Sequence, residues 1–177
     1  MRSRRQFFAT LAAAAAPALA LARPAAAAVT GPRELSFLHT HTGERLVVEY
    51  RGAQGYLADA LATVNHFLRD FRTGDVHAID PTLLDLLGGL TNLTGTTRPF
   101  QVISGYRSPA TNATLRSRSE GVAAHSLHMV GQAIDIRLAD VPLPKLRSAA
   151  LAVHGGGVGY YPASNFVHVD TGRVRFW

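Results

Sequence analysis

The stretch SLHMVGQAID, Ser126 to Asp135, places a histidine at 128, a glycine at 131 and an aspartate at 135, and a further histidine, His168, lies in NFVHVDT near the C-terminal end. A buried strand does not need His128. Asp135 is flanked by Ile134 and Ile136, and a lone carboxylate in such a strand is costly if buried unless it is paired or bound to a cation. Imidazole nitrogen and carboxylate oxygen suit Zn²⁺, and three protein ligands leave a fourth position for water, the catalytic arrangement. Zinc lowers the pKa of such a water to near 7 and makes it a nucleophile at neutral pH. The chain has no cysteine, so thiolate zinc sites and cysteine nucleophiles are excluded. The remaining histidines have plainer readings. His66 is a surface or boundary residue of a helix, His77 sits in a loop, and His39 and His41, a pair that could hold metal, read more plainly as polar residues of a strand and its turn. Gly131 supplies a backbone conformation that a Cβ would hinder, and so aims His128.

The elements that must position these residues can be read along the chain. Residues 34–50 alternate apolar and polar side chains on both sides of HTGE, a β-hairpin with Gly43 in the turn. Leu57, Leu61, Val64, Phe67, Leu68 and Phe71 recur at helical spacing, which predicts a helix over 56–72 ended near Gly74. Asp80 as N-cap and Pro81 in the first position start a second helix, running to about Leu93. FQVISGYRSP is a short strand ending at Gly105, and residues 110–124 are a loop or a broken helix. Residues 131–138 form a strand, 142–154 a third helix, and GVGYYP, NFVHVDT and VRFW three more short strands. Helices grouped early and strands that read as antiparallel make a single α+β domain.

The 177-residue length suits one domain. Residues 1–28 are set apart from it. They have a basic head, an Ala/Leu run and small residues at Ala26 and Ala28 that suit signal cleavage. The run is alanine-heavy and short of the roughly 20 strongly apolar residues of a membrane span, so no stable anchor is expected after cleavage. This segment carries Arg2, Arg4, Arg5 and Arg23 and no acid, so four of the formal +6 charges leave with it and +2 remain. That residue of charge, with no basic stripe interleaved with aromatics, does not point to nucleic acid. SRRQFF, Ser3 to Phe8, resembles the twin-arginine export signal, which implies the twin-arginine machinery as partner and the periplasm or cell envelope as destination.

Three ordered blocks carry a second resemblance. SLHMVGQAID is similar to the S-x-H-x-x-G-x-A-x-D signature of the D,D-metallopeptidases of peptidoglycan, a group related to lysostaphin-type and hedgehog domains. SGYRSP, Ser104 to Pro109, resembles the same group's upstream block, and GGVGYYPASNFVHVDTGRVRFW resembles its YcbK-like (MepK) murein endopeptidase branch. The resemblance extends over nearly all of residues 29–177, and the three blocks in this order carry it. The resemblance implies a hedgehog/D,D-peptidase-like fold, an antiparallel sheet with helices on one side. It implies that His128, Asp135 and His168 bind one zinc ion, and that Arg107 contacts the scissile carbonyl or a substrate carboxylate. It implies hydrolysis of cross-links between peptidoglycan stem peptides, either D-Ala–meso-diaminopimelate or diaminopimelate–diaminopimelate.

One departure affects the proton chemistry. In the dipeptidase branch a glutamate stands three residues before the last histidine and acts as base; here that position is Asn165, and an amide cannot take a proton. Asp170, on the same strand face as His168, and His125, three residues before His128, are the candidates. Asp170 also reads as an orienter of a ligand, and His125 as a solvated loop residue. Ser126 either bonds substrate or caps its turn. Tyr106 is a candidate for substrate binding, though it, Tyr160 and Tyr161 also read as core. Two rival functions follow: a carboxypeptidase trimming stem ends, and a zinc-containing wall-binding module without activity.

Overall fold

The alternation in RELSFLH and RLVVEYRG builds the first hairpin. Strands β1 (Arg33–His39) and β2 (Arg45–Gly52) pair antiparallel, and Gly43 turns the chain with φ +75°. The structure is a computed structural model that describes residues 33–119 and 121–177; the export signal expected over 1–28 lies outside the described residues. After β3 (Gly55–Tyr56) come helices α1 (Ala58–Phe67) and α2 (Pro81–Thr94), then β4 (Phe100–Ser104) and α3 (Pro109–Arg116). A single 3₁₀ turn, Leu127–Val130, leads into β5 (Ala133–Arg137). Helix α4 (Leu143–Val153) precedes β6 (Gly157–Tyr161), β7 (Phe166–Asp170) and β8 (Arg175–Phe176).

Among the described residues the strands form one sheet in the order β3-β2-β1-β4-β5-β7-β6-β8. Five of its seven pairings are antiparallel, as the sequence suggests. The β1–β4 and β6–β8 pairs are parallel, so the sheet is mixed. A parallel neighbour needs a crossover connection, and the segment carrying α1 and α2 supplies it between β1 and β4.

Register sorts the two faces of this sheet. Val102 stands opposite Ile136, Ile136 opposite Val167, Ile134 opposite Val169, and Val169 opposite Val158. These residues join Leu35, Phe37 and Phe100 in one core with Val64 of α1, Leu83, Leu87 and Leu90 of α2, and Leu146 of α4. Because strand side chains alternate, the residues between them face the other way. Ser104 stands opposite Asp135, and Asp135 and Gly159 stand on either side of His168. The apolar alternation that builds the core therefore also gathers the polar residues on the opposite face.

Helix α1 ends earlier than its apolar spacing predicts. The chain beyond Phe67 is used to hold the loop after β4. The Leu68 carbonyl accepts the Tyr106 N–H at 2.7 Å, and the Asp70 carboxylate accepts the backbone N–H groups of Arg72 and Ser108 at 3.0 and 2.9 Å. A Cβ on Gly105 would lie 2.6 Å from the Leu68 carbonyl oxygen, so glycine permits this approach. The segment left between loop and broken helix resolves as α3, because Ser108 caps it by accepting the Thr111 N–H at 3.2 Å and Pro109 follows.

Helix α2 starts as read. The Asp80 carboxylate accepts the Thr82 N–H at 2.9 Å, and Gly95 closes the helix with φ +70°. Asp80 does more than cap. Its second oxygen accepts from the Thr171 hydroxyl at 2.7 Å, and its N–H donates to the Gly131 carbonyl at 2.9 Å. It thus ties α2 to both segments that flank the polar face. Burial opposes its ionisation, but the hydrogen bonds from Thr171 and Thr82 outweigh that and hold its pKa below the usual carboxylate value. A depressed folded pKa stabilises the fold above the unfolded pKa, and that stability is lost as pH falls through the folded value. Asp80→Ala is expected to lower the urea unfolding free energy by about 1–2 kcal/mol at pH 7. The gap from the unaltered protein should narrow when both are unfolded near pH 3, where more of the carboxylate is protonated.

Candidate metal centre

Three backbone devices place His128. The Ser126 hydroxyl caps the 3₁₀ turn by accepting the His128 N–H at 3.4 Å. Gly131 ends the turn at φ +68°, and a Cβ there would collide with the Ala78 carbonyl, so both conformation and space demand glycine. The imidazole Nδ1–H donates to the Gly105 carbonyl at 2.7 Å. Asp135 and His168 need no such turn, because they sit in mid-strand on β5 and β7, directly opposite in register.

These three side chains converge. His168 Nδ1 lies 2.9 Å from Asp135 Oδ1, His128 Nε2 lies 3.3 Å from the same oxygen, and the two ring nitrogens are 3.2 Å apart. One ligand atom from each falls within 4.8 Å of the others, and all three residues are buried. The outer partners decide which nitrogens are free to ligate. A carbonyl can only accept, so the proton of His128 sits on Nδ1 and the Nε2 lone pair faces inward. His168 Nε2 lies 3.0 Å from Asp170 Oδ2, so its proton faces Asp170 and Nδ1 faces inward. With both rings neutral, two imidazoles and a carboxylate aim lone pairs at one point, which fits a divalent cation with nitrogen and oxygen ligands.

The charge balance agrees. Burial lowers the pKa of His128, only partly countered by Asp135. Burial would lower His168 too, but its bonds to Asp135 and Asp170 prevail and raise it to about 9. Burial would raise Asp135, and the adjacent imidazoles instead hold it well below the carboxylate range. A positive charge is favoured at this point, and His168 carries it as an imidazolium when no cation does.

Asp170 lies behind His168. It is 0 % exposed and does not line the cavity over the cluster. Its oxygens accept from Arg175 at 2.7 and 3.0 Å, from the N–H groups of Gly157 and Gly172 at 3.0 and 2.9 Å, and from His168. Burial would raise its pKa, and these partners hold it well below the usual range instead. This placement speaks against the expectation that Asp170 serves as base, because its oxygens are engaged and it does not line the cavity. Its alternative reading, orientation of a ligand histidine, fits the contacts.

Arg107 has the opposite character. It is 8 % exposed, yet its guanidinium makes only long contacts, to Asn112 at 3.4 Å, Ser104 at 3.5 Å and Asp135 Oδ2 at 3.6 Å. Its Nε is buried without a partner. Burial lowers its pKa, and Asp135 partly restores it. Donors held this close to the cluster and so weakly engaged are available to a ligand.

A half-open cavity of about 450 Å³ lies over the cluster. Arg107, His125, Ser126, His128, Asp135 and His168 all line it. Tyr106 does not; its ring stacks on His77 at 4.8 Å and its body packs against the core, so the substrate-binding expectation is corrected to a packing role. Ser126 both caps and lines. Asn165 is an exposed turn residue at φ 54°, outside the lining, and asparagine suits that left-handed conformation. Sequence reading missed Arg175 and Trp177. Arg175 was legible only as a charge two residues from the end, and Trp177 as the lone tryptophan. Neither spacing nor pattern links them to His168.

Residues 27–177 match the family described as peptidoglycan L,D-endopeptidase MepK. The chain belongs to the MepK family. The peptidoglycan L,D-endopeptidase MepK of Escherichia coli K12 is 50 % identical over 146 residues, which cover 82 % of this chain and 80 % of that protein. The probable MepK of Haemophilus influenzae is 48 % identical over 147 residues, covering 82 % and 79 %. In this MepK-family chain the Asp170 contacts carry a direct expectation. Asp170→Asn should weaken divalent-cation affinity by about 10- to 100-fold, read by chelator competition, with the far-UV circular dichroism retained.

Proposed function

We propose that this chain is a zinc-dependent murein endopeptidase that cuts diaminopimelate–diaminopimelate cross-links in the cell envelope. The observation that carries this reading is the buried convergence of His128, Asp135 and His168 beneath a half-open cavity, with Arg107 beside it. A D-Ala–diaminopimelate bond joins two D centres, whereas a diaminopimelate–diaminopimelate bond joins an L and a D centre. The L,D designation of the relatives therefore favours the second of the two cross-links. Their names also favour cutting between stems over trimming of stem ends.

His128 Nε2, His168 Nδ1 and Asp135 hold the zinc. When bound, zinc supplies Lewis acidity that activates water near neutral pH and polarises a carbonyl. Asp170 holds the His168 Nε2 proton and so fixes the ring for ligation. The Gly105 carbonyl does the same for His128. Arg107 directs its unengaged donors at the scissile carbonyl, where negative charge develops as the amide is attacked, or at a neighbouring substrate carboxylate. His125, exposed on the cavity wall, is the remaining side chain for moving the proton from water to the leaving amine. Ser126 offers a hydroxyl on the same wall.

Export by the twin-arginine route fits residues 1–28 as signal and 29–177 as enzyme. The paired Arg4 and Arg5, the Ala-rich run and a family match beginning at residue 27 support that division. No helix among the described residues is long and apolar enough to cross a membrane.

Cross-linked muropeptide dimers should be converted to monomers by the zinc-loaded protein, and not by His168→Ala or by a chelated sample. The new chain ends identify the bond. Shortened monomers would reassign the protein to trimming, and no product from folded, metal-loaded protein would reduce it to wall binding. His125→Ala should lower kcat by roughly 100-fold with zinc content unchanged. An undiminished kcat would remove His125 from the chemistry.

A further inference from the structure

The cavity has one wall that the metal chemistry does not use. Trp177 is 48 % exposed and lines the cavity together with Tyr161 and Phe166. Its backbone is bound to β6 on both sides: its N–H donates to the Val158 carbonyl at 3.2 Å, and its carbonyl accepts the Tyr160 N–H at 3.1 Å. The indole N–H donates to the Tyr161 hydroxyl at 2.7 Å, and Tyr161 stacks on Phe166 at 4.6 Å. The Arg175 guanidinium lies 5.0 Å from the ring. The indole rests on Gly159, where a Cβ would come within 2.8 Å of two of its carbons. Its ring is 5.4 Å from that of His168.

Every freedom of this side chain is spent before a substrate arrives. Its polar nitrogen is satisfied, its backbone is paired, and Gly159 lets it lie against the strand. What remains is an apolar surface on a cavity that Arg107, Ser126, His128 and Asp135 also line. A pre-formed aromatic wall beside a few polar groups is how a ligand site fixes orientation. Given the function proposed above, on which this inference rests, the substrate must bring its scissile amide to the cluster next to the indole. The longest apolar stretch near a cross-link is the methylene chain of its diamino acid; the alanines offer only methyl groups.

We infer that Trp177 is a specificity-determining residue, whose indole face holds the aliphatic side chain of the cross-linking diamino acid beside the metal centre. The test uses synthetic cross-linked peptides that differ only in the number of side-chain methylenes. Two methylenes fewer should raise KM about tenfold in the unaltered protein. Trp177→Ala should raise KM about tenfold for the long-chain substrate and abolish the preference, with kcat, zinc content and Tm little changed. Trp177→Phe should restore most of the preference, because it keeps an aromatic face. Trp177 is the only tryptophan in the sequence, so its emission reports the contact directly. Mixing with the long-chain substrate in stopped flow should shift that emission before product appears.

A Trp177→Ala protein that keeps both its KM and its chain-length preference overturns the inference, as does an emission unmoved at saturating substrate; either result leaves the endopeptidase function standing if cross-links are still cut. Protein that is folded and metal-loaded yet neither binds nor cuts any cross-linked peptide overturns both.

Discussion

A carboxylate and two imidazoles share one small buried volume, and the rest of the site is arranged to make that tolerable. Asp135 is ionised where solvent cannot spread its charge, which is costly unless positive charge stands close by. His168 supplies it as an imidazolium, or a divalent cation supplies it when the imidazoles are neutral. This competition sets the logic of the site. The proton and the metal ask for the same lone pair on His168 Nδ1, and the fold prepares the ring for either by fixing Nε2 on Asp170.

The outer contacts extend that logic to distant parts of the chain. Asp170 keeps its own charge because Arg175 and two glycine N–H groups surround it. His128 keeps its tautomer because the Gly105 carbonyl is held where Leu68 and Asp70 anchor the loop. Asp80 draws the Gly131 and Thr171 segments onto the start of α2. A helix cap, a loop anchor and a buried ion pair on three separate elements therefore all act on the orientation of two rings. Rigid support of this kind is what a metal centre needs, since ligands a fraction of an ångström out of place lose affinity.

The sheet's alternation separates the two tasks of the domain. Ile134, Ile136, Val167 and Val169 face the helices and supply the core, while Asp135 and His168 occupy the positions between them. A one-residue slip of β5 against β7 would turn β5 over, bury Asp135 among the helices and expose Ile134 and Ile136. The hydrophobic effect that fixes the strand register thus also fixes Asp135 and His168, and no separate device is needed for that pair.

Much of this was legible in residue order. Local pattern marks the hairpin, the Asp80 cap of α2, the strand over 131–138 and the isolated charge of Asp135, because alternation, capping and a charge among isoleucines are signals carried by near neighbours. The mixed character of the sheet was not legible, because parallel pairing of β1 with β4 depends on where a long crossover returns. The early end of α1 was hidden for a related reason: its apolar spacing continues to Phe71, but Tyr106 claims the Leu68 carbonyl and Ser108 the Asp70 carboxylate. The role of Asp170 followed the same rule. Alternation correctly put it on the face of His168, yet whether its carboxylate meets substrate or stands behind the ring depended on Arg175, Gly157 and Gly172. The sequence by itself determined the apolar pattern of the core, since that rests on residue type and short-range period, and its resemblance to a family singled out His128, Asp135 and His168. Only the tertiary structure decided which lone pairs are free, which carboxylate is sealed and which aromatic forms the cavity wall, because each depends on groups brought together from distant parts of the chain.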